Sequence, residues 1–316
     1  MIDSPARAKA IASELLAGAQ MSDEVVRARL RDACDRGYWL RAAPALSIGG
    51  APQPWTRTLT PPDLDATVRR FGADGYFQLP PIIDHAALAQ LNVAIDAVVG
   101  AGWPPVFAWA YDQFWSLSRL PDVSDLLTRA LGAAYSQIPH IWTHVVSPVV
   151  GASGWGPHFD FASRGRVSVW LALSDATLTN GCMHVVTATD LAAGFAARRP
   201  ELERIVVADA LRALKGVRAL PVSRGAALGW GAGVLHWGGP CLQANQARRA
   251  ISMEFIAPTV APDPDESPLL PHDGPLPAFG DRLRMIATAV LAYENFEPGL
   301  IRYRALAERL RSTDLS

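Results

Sequence analysis

The chain has 316 residues, half of them apolar, enough for one large domain or two small ones around a substantial core, so a mainly disordered protein is excluded. Charged residues make up 19%, and 29 Lys and Arg stand against 30 Asp and Glu, so no net field draws the chain to nucleic acid or to an anionic membrane. Three well-separated cysteines, Cys34, Cys182 and Cys241, fit a reducing compartment and fit neither a disulfide framework nor a paired-Cys zinc site. The opening MIDSPARAKAIASELLAGAQ carries charges where a signal peptide would have its apolar block, and no run reaches the roughly 18 apolar residues of a membrane span. A cytoplasmic protein without membrane or nucleic-acid partners is expected.

Apolar spacing predicts helices over residues 5–18 and 23–35, the second with Ser22 at its start. Pro and Gly between Pro44 and Pro62 mark an extended connection. From residue 61 the pattern reads helix, a turn at Asp74-Gly75, a short strand Tyr76–Leu79, and a second helix capped by Asp84. Residues 103–115 hold six aromatic side chains, Trp103, Phe107, Trp109, Tyr111, Phe114 and Trp115, which weigh toward core packing over a ligand wall. Strands follow at Ile141–Val146, Arg166–Leu173, Cys182–Val186, Ala219–Pro221, Ala226–Gly229, Val234–Trp237 and Arg249–Ile256, with a helical insert near Leu191–Leu214. Short strands at this spacing suggest a sandwich or barrel. Residues 258–280 read as a Pro-rich connection, and 281–312 as a helix with apolar surface for either a core contact or a homodimer. The organisation expected is a helical extension (1–60), a barrel with supporting helices (61–257), and a C-terminal connection and helix (258–316).

His158-Phe159-Asp160 is the sharpest local feature. In an extended segment residues two apart share a face, so one strand end can present an imidazole and a carboxylate to the same point. By itself this pair is weak, since a hydrogen-bonded surface pair would look the same. His236, at the end of an apolar strand, adds a second imidazole that burial would leave in need of a partner. Two His and one carboxylate form the facial triad of non-haem iron(II) oxygenases. Farther on, Arg248, Ala250, Ser252 and Glu254 alternate with Arg249, Ile251, Met253 and Phe255, so one of the two arginines should point inward, where its fork of N–H donors suits a carboxylate.

HFDFASRGRVSVWLALSDATLTNGCMHVV, followed by GVLHWGGP and RRAISMEF, resembles the phytanoyl-CoA dioxygenase family of Fe(II)/2-oxoglutarate-dependent oxygenases, and RFGADGYFQLPPIIDHAALAQL resembles that family's opening helix and strand. The likeness spans residues 68–257. It implies an α+β fold, a double-stranded β-helix (a jelly-roll, cupin-like barrel) flanked by N- and C-terminal helices. It implies His158, Asp160 and His236 as iron ligands and Arg248 as the grip on 2-oxoglutarate, with Trp170 lining the cosubstrate pocket and Thr143 near another pocket position. The cofactors implied are Fe(II), 2-oxoglutarate and O2; the reaction is hydroxylation of an unactivated C–H in a small organic substrate, such as a secondary metabolite, an amino-acid-like or an acyl compound, with release of succinate and CO2. Asp160 stands where related halogenases have a small residue, which argues against halogenation.

The sequence departs from the family in three places. Thr187-Ala188-Thr189-Asp190 replaces a Pro-Gly-Ser-His loop, Gly238 stands where many members have a serine, and no lysine occupies the pre-barrel region. Trp142, Trp155, Trp230 and Trp237 suit an apolar substrate, and Arg164 and Arg166 could meet an anionic group on it. Two rival readings are a catalytically inactive ligand-binding barrel, which would have no use for an intact triad, and a metal enzyme without 2-oxoglutarate, which would have no use for an inward arginine.

Overall fold

Two antiparallel sheets carry the fold in the computed structural model of the chain, which describes residues 20–51, 54–161, 163–194 and 214–313. The strands are β1 (Tyr76–Leu79), β2 (Ser136–Val146), β3 (Arg166–Ala172), β4 (Met183–Val186), β5 (Arg218–Leu220), β6 (Ala227–Gly231), β7 (Leu235–Gly238), β8 (Arg248–Ile256) and β9 (Leu270–Pro271). Six form one sheet in the order β1-β6-β3-β8-β2-β9, and three form the other in the order β5-β4-β7. Helices α1 (Asp23–Cys34), α2 (Arg36–Ala42), α3 (Pro61–Asp74), α4 (His85–Gly100), α5 (Asp112–Ser116) and α6 (Pro121–Leu131) precede the second strand; α7 (Ala188–Gly194), α8 (Phe279–Tyr293) and α9 (Arg304–Ser312) come later.

Strand alternation splits the interior into two cores. Val167, Val169 and Leu171 of β3 and Ile251, Met253 and Phe255 of β8 face the helices, in a cluster that runs from Val26 to Leu310. Trp170, Ala172 and Ala250 face the other way and meet Met183, Val185 and Leu220 of the smaller sheet. The polar members of this second face, Ser168 on β3 and Arg248, Ser252 and Glu254 on β8, line a cavity between the sheets. The register puts Ser168 opposite Glu254 and Trp170 opposite Ser252.

Local signals behave as the sequence suggests. Ser22, Thr60 and Asp84 cap α1, α3 and α4 by accepting from the backbone N–H three residues on, each worth about 1 kcal/mol. Gly75 ends α3 at φ 77°, in the left-handed region open to glycine. The six aromatic side chains of residues 103–115 are all buried and pack the helical core, so their role is structural and they form no ligand wall. Asp112, buried in the same segment, accepts from the backbone N–H of Gly49 and Gly50 and pairs with Arg282 of α8 at 2.6 Å. One carboxylate thereby ties the Pro-rich connection and the C-terminal helix to the core.

Helix α8 packs on β2 and on residues 105–110, and α9 packs on α8 and α1, so the C-terminal apolar face is spent within the chain, the first of the two uses open to it. The connection after residue 257 is not wholly irregular, since Leu270 and Pro271 pair with β2 as an edge strand. The helix expected over 5–18 lies outside the described residues, as does most of the insert expected over 191–214, of which α7 and the turn after residue 213 are described. All three cysteines are free. Among the described residues no helix is long and apolar enough to cross a membrane.

Candidate metal centre

An antiparallel bridge sets two of the three triad residues side by side. The backbone N–H of His158 donates to the His236 carbonyl (3.1 Å) and that of His236 donates to the His158 carbonyl (3.0 Å), leaving their ring centroids 4.2 Å apart. Two residues on, Asp160 places Oδ1 3.4 Å from His158 Nε2 and 3.3 Å from His236 Nε2. One ligand atom from each of the three lies within 4.8 Å of the others.

The hydrogen bonds behind the triad decide which atoms are left to bind. Nδ1 of His158 contacts the Gly156 carbonyl (2.7 Å) and Nδ1 of His236 the Val234 carbonyl (3.3 Å), contacts that orient both rings with Nε2 facing inward toward Asp160 Oδ1. Oδ2 of Asp160 accepts from Ser168 Oγ and from Trp230 Nε1 (2.6 Å). Oδ1 and two Nε2 atoms therefore converge with nothing between them. Burial opposes ionisation of Asp160, but the hydrogen bonds from both histidines outweigh it and hold the carboxyl well below its usual range. Burial likewise opposes protonation of His158, and the Asp160 bond reverses the balance, raising its pKa. Two neutral imidazole nitrogens and one carboxylate oxygen are the donor set of a divalent transition metal, iron(II) among them.

Arg248 is the inward arginine. It is 1% exposed, its guanidinium lies 5.7 Å from the Trp170 ring centre, Nη1 contacts the Met183 sulfur at 3.5 Å, and Nε has no partner. Burial presses its pKa down to about 10. Arg249 takes the opposite face and bonds Asp96 and Asn92. Trp170 Nε1 is also buried without a partner. Two unsatisfied donors and an uncompensated cation in one cavity are what a small anion would complete. Gly154 and Gly238 press against the guanidinium: a Cβ on Gly154 would stand 2.4 Å from Nη2, and one on Gly238 2.8 Å from it. The glycine at 238, unexpected from the resemblance, thus has a steric reason.

Thr143 corrects the reading of β2. Its hydroxyl accepts from Trp109 Nε1 (3.1 Å) in the helical core, because alternation turns odd-numbered residues there away from the cavity. His140 and His144 line the cavity instead, neither of them singled out by sequence. His144 Nε2 meets Ser252 Oγ at 3.0 Å, and burial together with the charge of Arg248 brings its pKa down to about 3, so the ring is neutral. His140 Nδ1 meets Glu254 at 3.0 Å; burial pushes the Glu254 carboxyl up to about 7. Arg166 is likewise no substrate contact, being paired with Glu266 and Asp263, and Arg164 is exposed. Trp155 and Trp230 line the cavity, Trp142 supports Trp155, and Trp237 stacks on His184 outside it. Tyr293, the last residue of α8, and Phe296, in the turn after it, close the mouth. The cavity measures about 220 Å³.

Residues 105–250 match the family model for phytanoyl-CoA dioxygenase (PhyH), a stretch that contains the triad and Arg248. That match covers a little under half of the chain. Solved structures with a similar fold include the non-heme monooxygenase ThoJ with nickel, at 17% identity and a TM-score of 0.53, covering 74% of this chain and 99% of that one. The apo form of ThoJ gives a TM-score of 0.52 at 17% identity, covering 77% and 98%. The epimerase SnoN in complex with Fe3+, alpha ketoglutarate and nogalamycin RO gives 0.50 at 16% identity, covering 68% and 97%. No curated protein matches the sequence. Glu254, Tyr293 and Phe296 line the cavity from beyond the matched segment.

Proposed function

We propose that the protein is an Fe(II)/2-oxoglutarate-dependent oxygenase that hydroxylates an unactivated C–H of a small organic substrate. The observation that carries this is the pairing of the His158, Asp160 and His236 donor set with a buried, uncompensated Arg248 in one cavity. A bare metal enzyme would have no reason to bury an unpaired guanidinium, whose desolvation is unfavourable until an anion meets it. In this reading the two sheets are the halves of a double-stranded β-helix, and the location is cytoplasmic.

Nε2 of both histidines and Oδ1 of Asp160 would hold the metal, with Ser168 and Trp230 fixing the carboxylate and the two backbone carbonyls fixing the rings. Arg248 would take the distal carboxylate of 2-oxoglutarate as a two-pronged donor, with Trp170 Nε1 as a further donor in the same wall. Neutral His144 adds no charge to compete with Arg248. Bound iron and 2-oxoglutarate supply oxygen activation coupled to oxidative decarboxylation. The chain's part is to leave coordination positions open, orient the diacid and keep water away with Trp155, Trp230, Tyr293 and Phe296.

The test is production of succinate from 2-oxoglutarate under air without added substrate, since such enzymes turn over slowly when uncoupled. Succinate formation that requires added Fe(II) is expected from the purified chain; none above an iron-free control would refute the reading.

A further inference from the structure

We propose that the substrate of this site carries an apolar ring system and a protonated amine, the ring stacked at the mouth among Trp155, Tyr293 and Phe296 and the ammonium held by Glu254. This rests on the oxygenase reading above and names the substrate class it leaves open. Glu254 and Arg248 project from the same face of β8, six residues and about 20 Å of strand apart. Ser168, opposite Glu254 in register, donates to Asp160, so Glu254 stands at the metal-ligand end of the strand and Arg248 at the other, over Trp170. A five-carbon diacid gripped by Arg248 and the metal is too short to reach Glu254 as well, so the acid faces the second ligand.

Charge points to a cation. A divalent metal, dianionic 2-oxoglutarate, Asp160 and Arg248 cancel one another. Glu254, which burial holds at a pKa of about 7 until a counter-ion meets it, is then the one acid among the described residues of this wall left for a cation, with His140 bonded to one of its oxygens. An ammonium satisfies it as a donor and as a counter-ion, whereas an anionic substrate would meet repulsion in a low-dielectric cavity.

The mouth points to a ring. The Trp155 ring centre is 4.8 Å from those of both Tyr293 and Phe296, and Phe296, 45% exposed, sits 5.5 Å from the His158 ring. Glu297 fixes the indole by accepting from its Nε1 at 2.9 Å. Held aromatic faces beside the metal suit a flat apolar partner and also attract cationic nitrogen.

Three indoles separate these demands: tryptamine, 3-ethylindole and indole-3-propionate share a ring and differ in charge. The full chain is loaded with Mn(II) and 2-oxoglutarate, whose own binding is measured first by calorimetry, and each indole is then titrated in. Tryptamine is expected to bind at least ten-fold more tightly than either of the others. Glu254→Gln should erase that preference while 2-oxoglutarate still binds, and Phe296→Ala should weaken tryptamine and 3-ethylindole alike. Equal affinities in the unaltered chain, no tryptamine binding to the loaded protein, or a preference that survives Glu254→Gln would overturn the proposal. Failure of Mn(II) or 2-oxoglutarate to bind in the first titration would sink the oxygenase reading, and the substrate assignment with it.

Discussion

Replacing Arg248 by methionine should make the ligand-free protein more stable and, in the same molecule, nearly abolish its response to 2-oxoglutarate. The guanidinium is 1% exposed, has no carboxylate partner, and is held at a pKa of about 10 by burial, which corresponds to a penalty of about 3 kcal/mol for keeping it charged. Methionine fills a similar volume without charge. Against the relief stands loss of the cation–π contact with Trp170, worth about 1–2 kcal/mol when desolvated. A net gain of about 1–2 kcal/mol remains, or roughly 1.5–3 °C in Tm for a chain of this size. Loss of the two-pronged grip should weaken 2-oxoglutarate by about 3 kcal/mol, roughly 100-fold. Differential scanning fluorimetry with Mn(II), with and without 2-oxoglutarate, reads both quantities. A variant less stable than the parent without ligand, or one with an undiminished 2-oxoglutarate shift, would refute the picture of Arg248 as a cation waiting for an anion.

Three further perturbations probe separate parts of the structure. Asp160→Ala should abolish succinate formation with the far-UV circular dichroism unchanged; activity near the parent's would remove Asp160 from the mechanism. Asp112→Ala leaves Arg282 buried without its carboxylate and two backbone donors unmet, and should destabilise the protein by about 3–5 kcal/mol in urea unfolding, whereas a loss under 1 kcal/mol would show that the tie is dispensable. Glu254 binds its proton more tightly in the folded chain than in the unfolded one, its pKa being raised to about 7 by burial, so its contribution is favourable in acid and is lost as pH rises through that value. Metal-free protein should lose up to about 3 kcal/mol between roughly pH 5 and 8 from this group, and Glu254→Gln should flatten that part of the profile; an identical profile in the variant would contradict the assignment.

Where the side-chain period is two and both faces are buried, the sequence is informative about the site. The alternation of β8 identifies Arg248, Ser252 and Glu254 as one face before any coordinates are known, and His158 and Asp160 share a face for the same reason. On β2 the same rule opposes the resemblance, which puts Thr143 near a pocket although its neighbour His144 occupies the cavity face; a bulge between Gln137 and Ile141 also breaks the strand's period. The aromatic mouth was not legible because it joins residues far apart in the chain, Trp155 from a loop, Tyr293 from the end of α8 and Phe296 from the turn after it, and no local pattern encodes that meeting. The steric reason for Gly238 needed the position of Arg248 across the cavity. The predicted connection over 258–280 hid a two-residue edge strand, too short to leave a periodic signal.

The central claim is that His158, Asp160 and His236 hold one ferrous ion with room beside it for the keto acid. Anaerobic titration of the purified chain with Fe(II) in the presence of 2-oxoglutarate, followed in the visible region, reads this directly. A weak charge-transfer band that saturates at one iron per chain, and is absent in His236→Ala, is the expected result. No band in the unaltered chain, or a band of full strength in His236→Ala, would contradict the account.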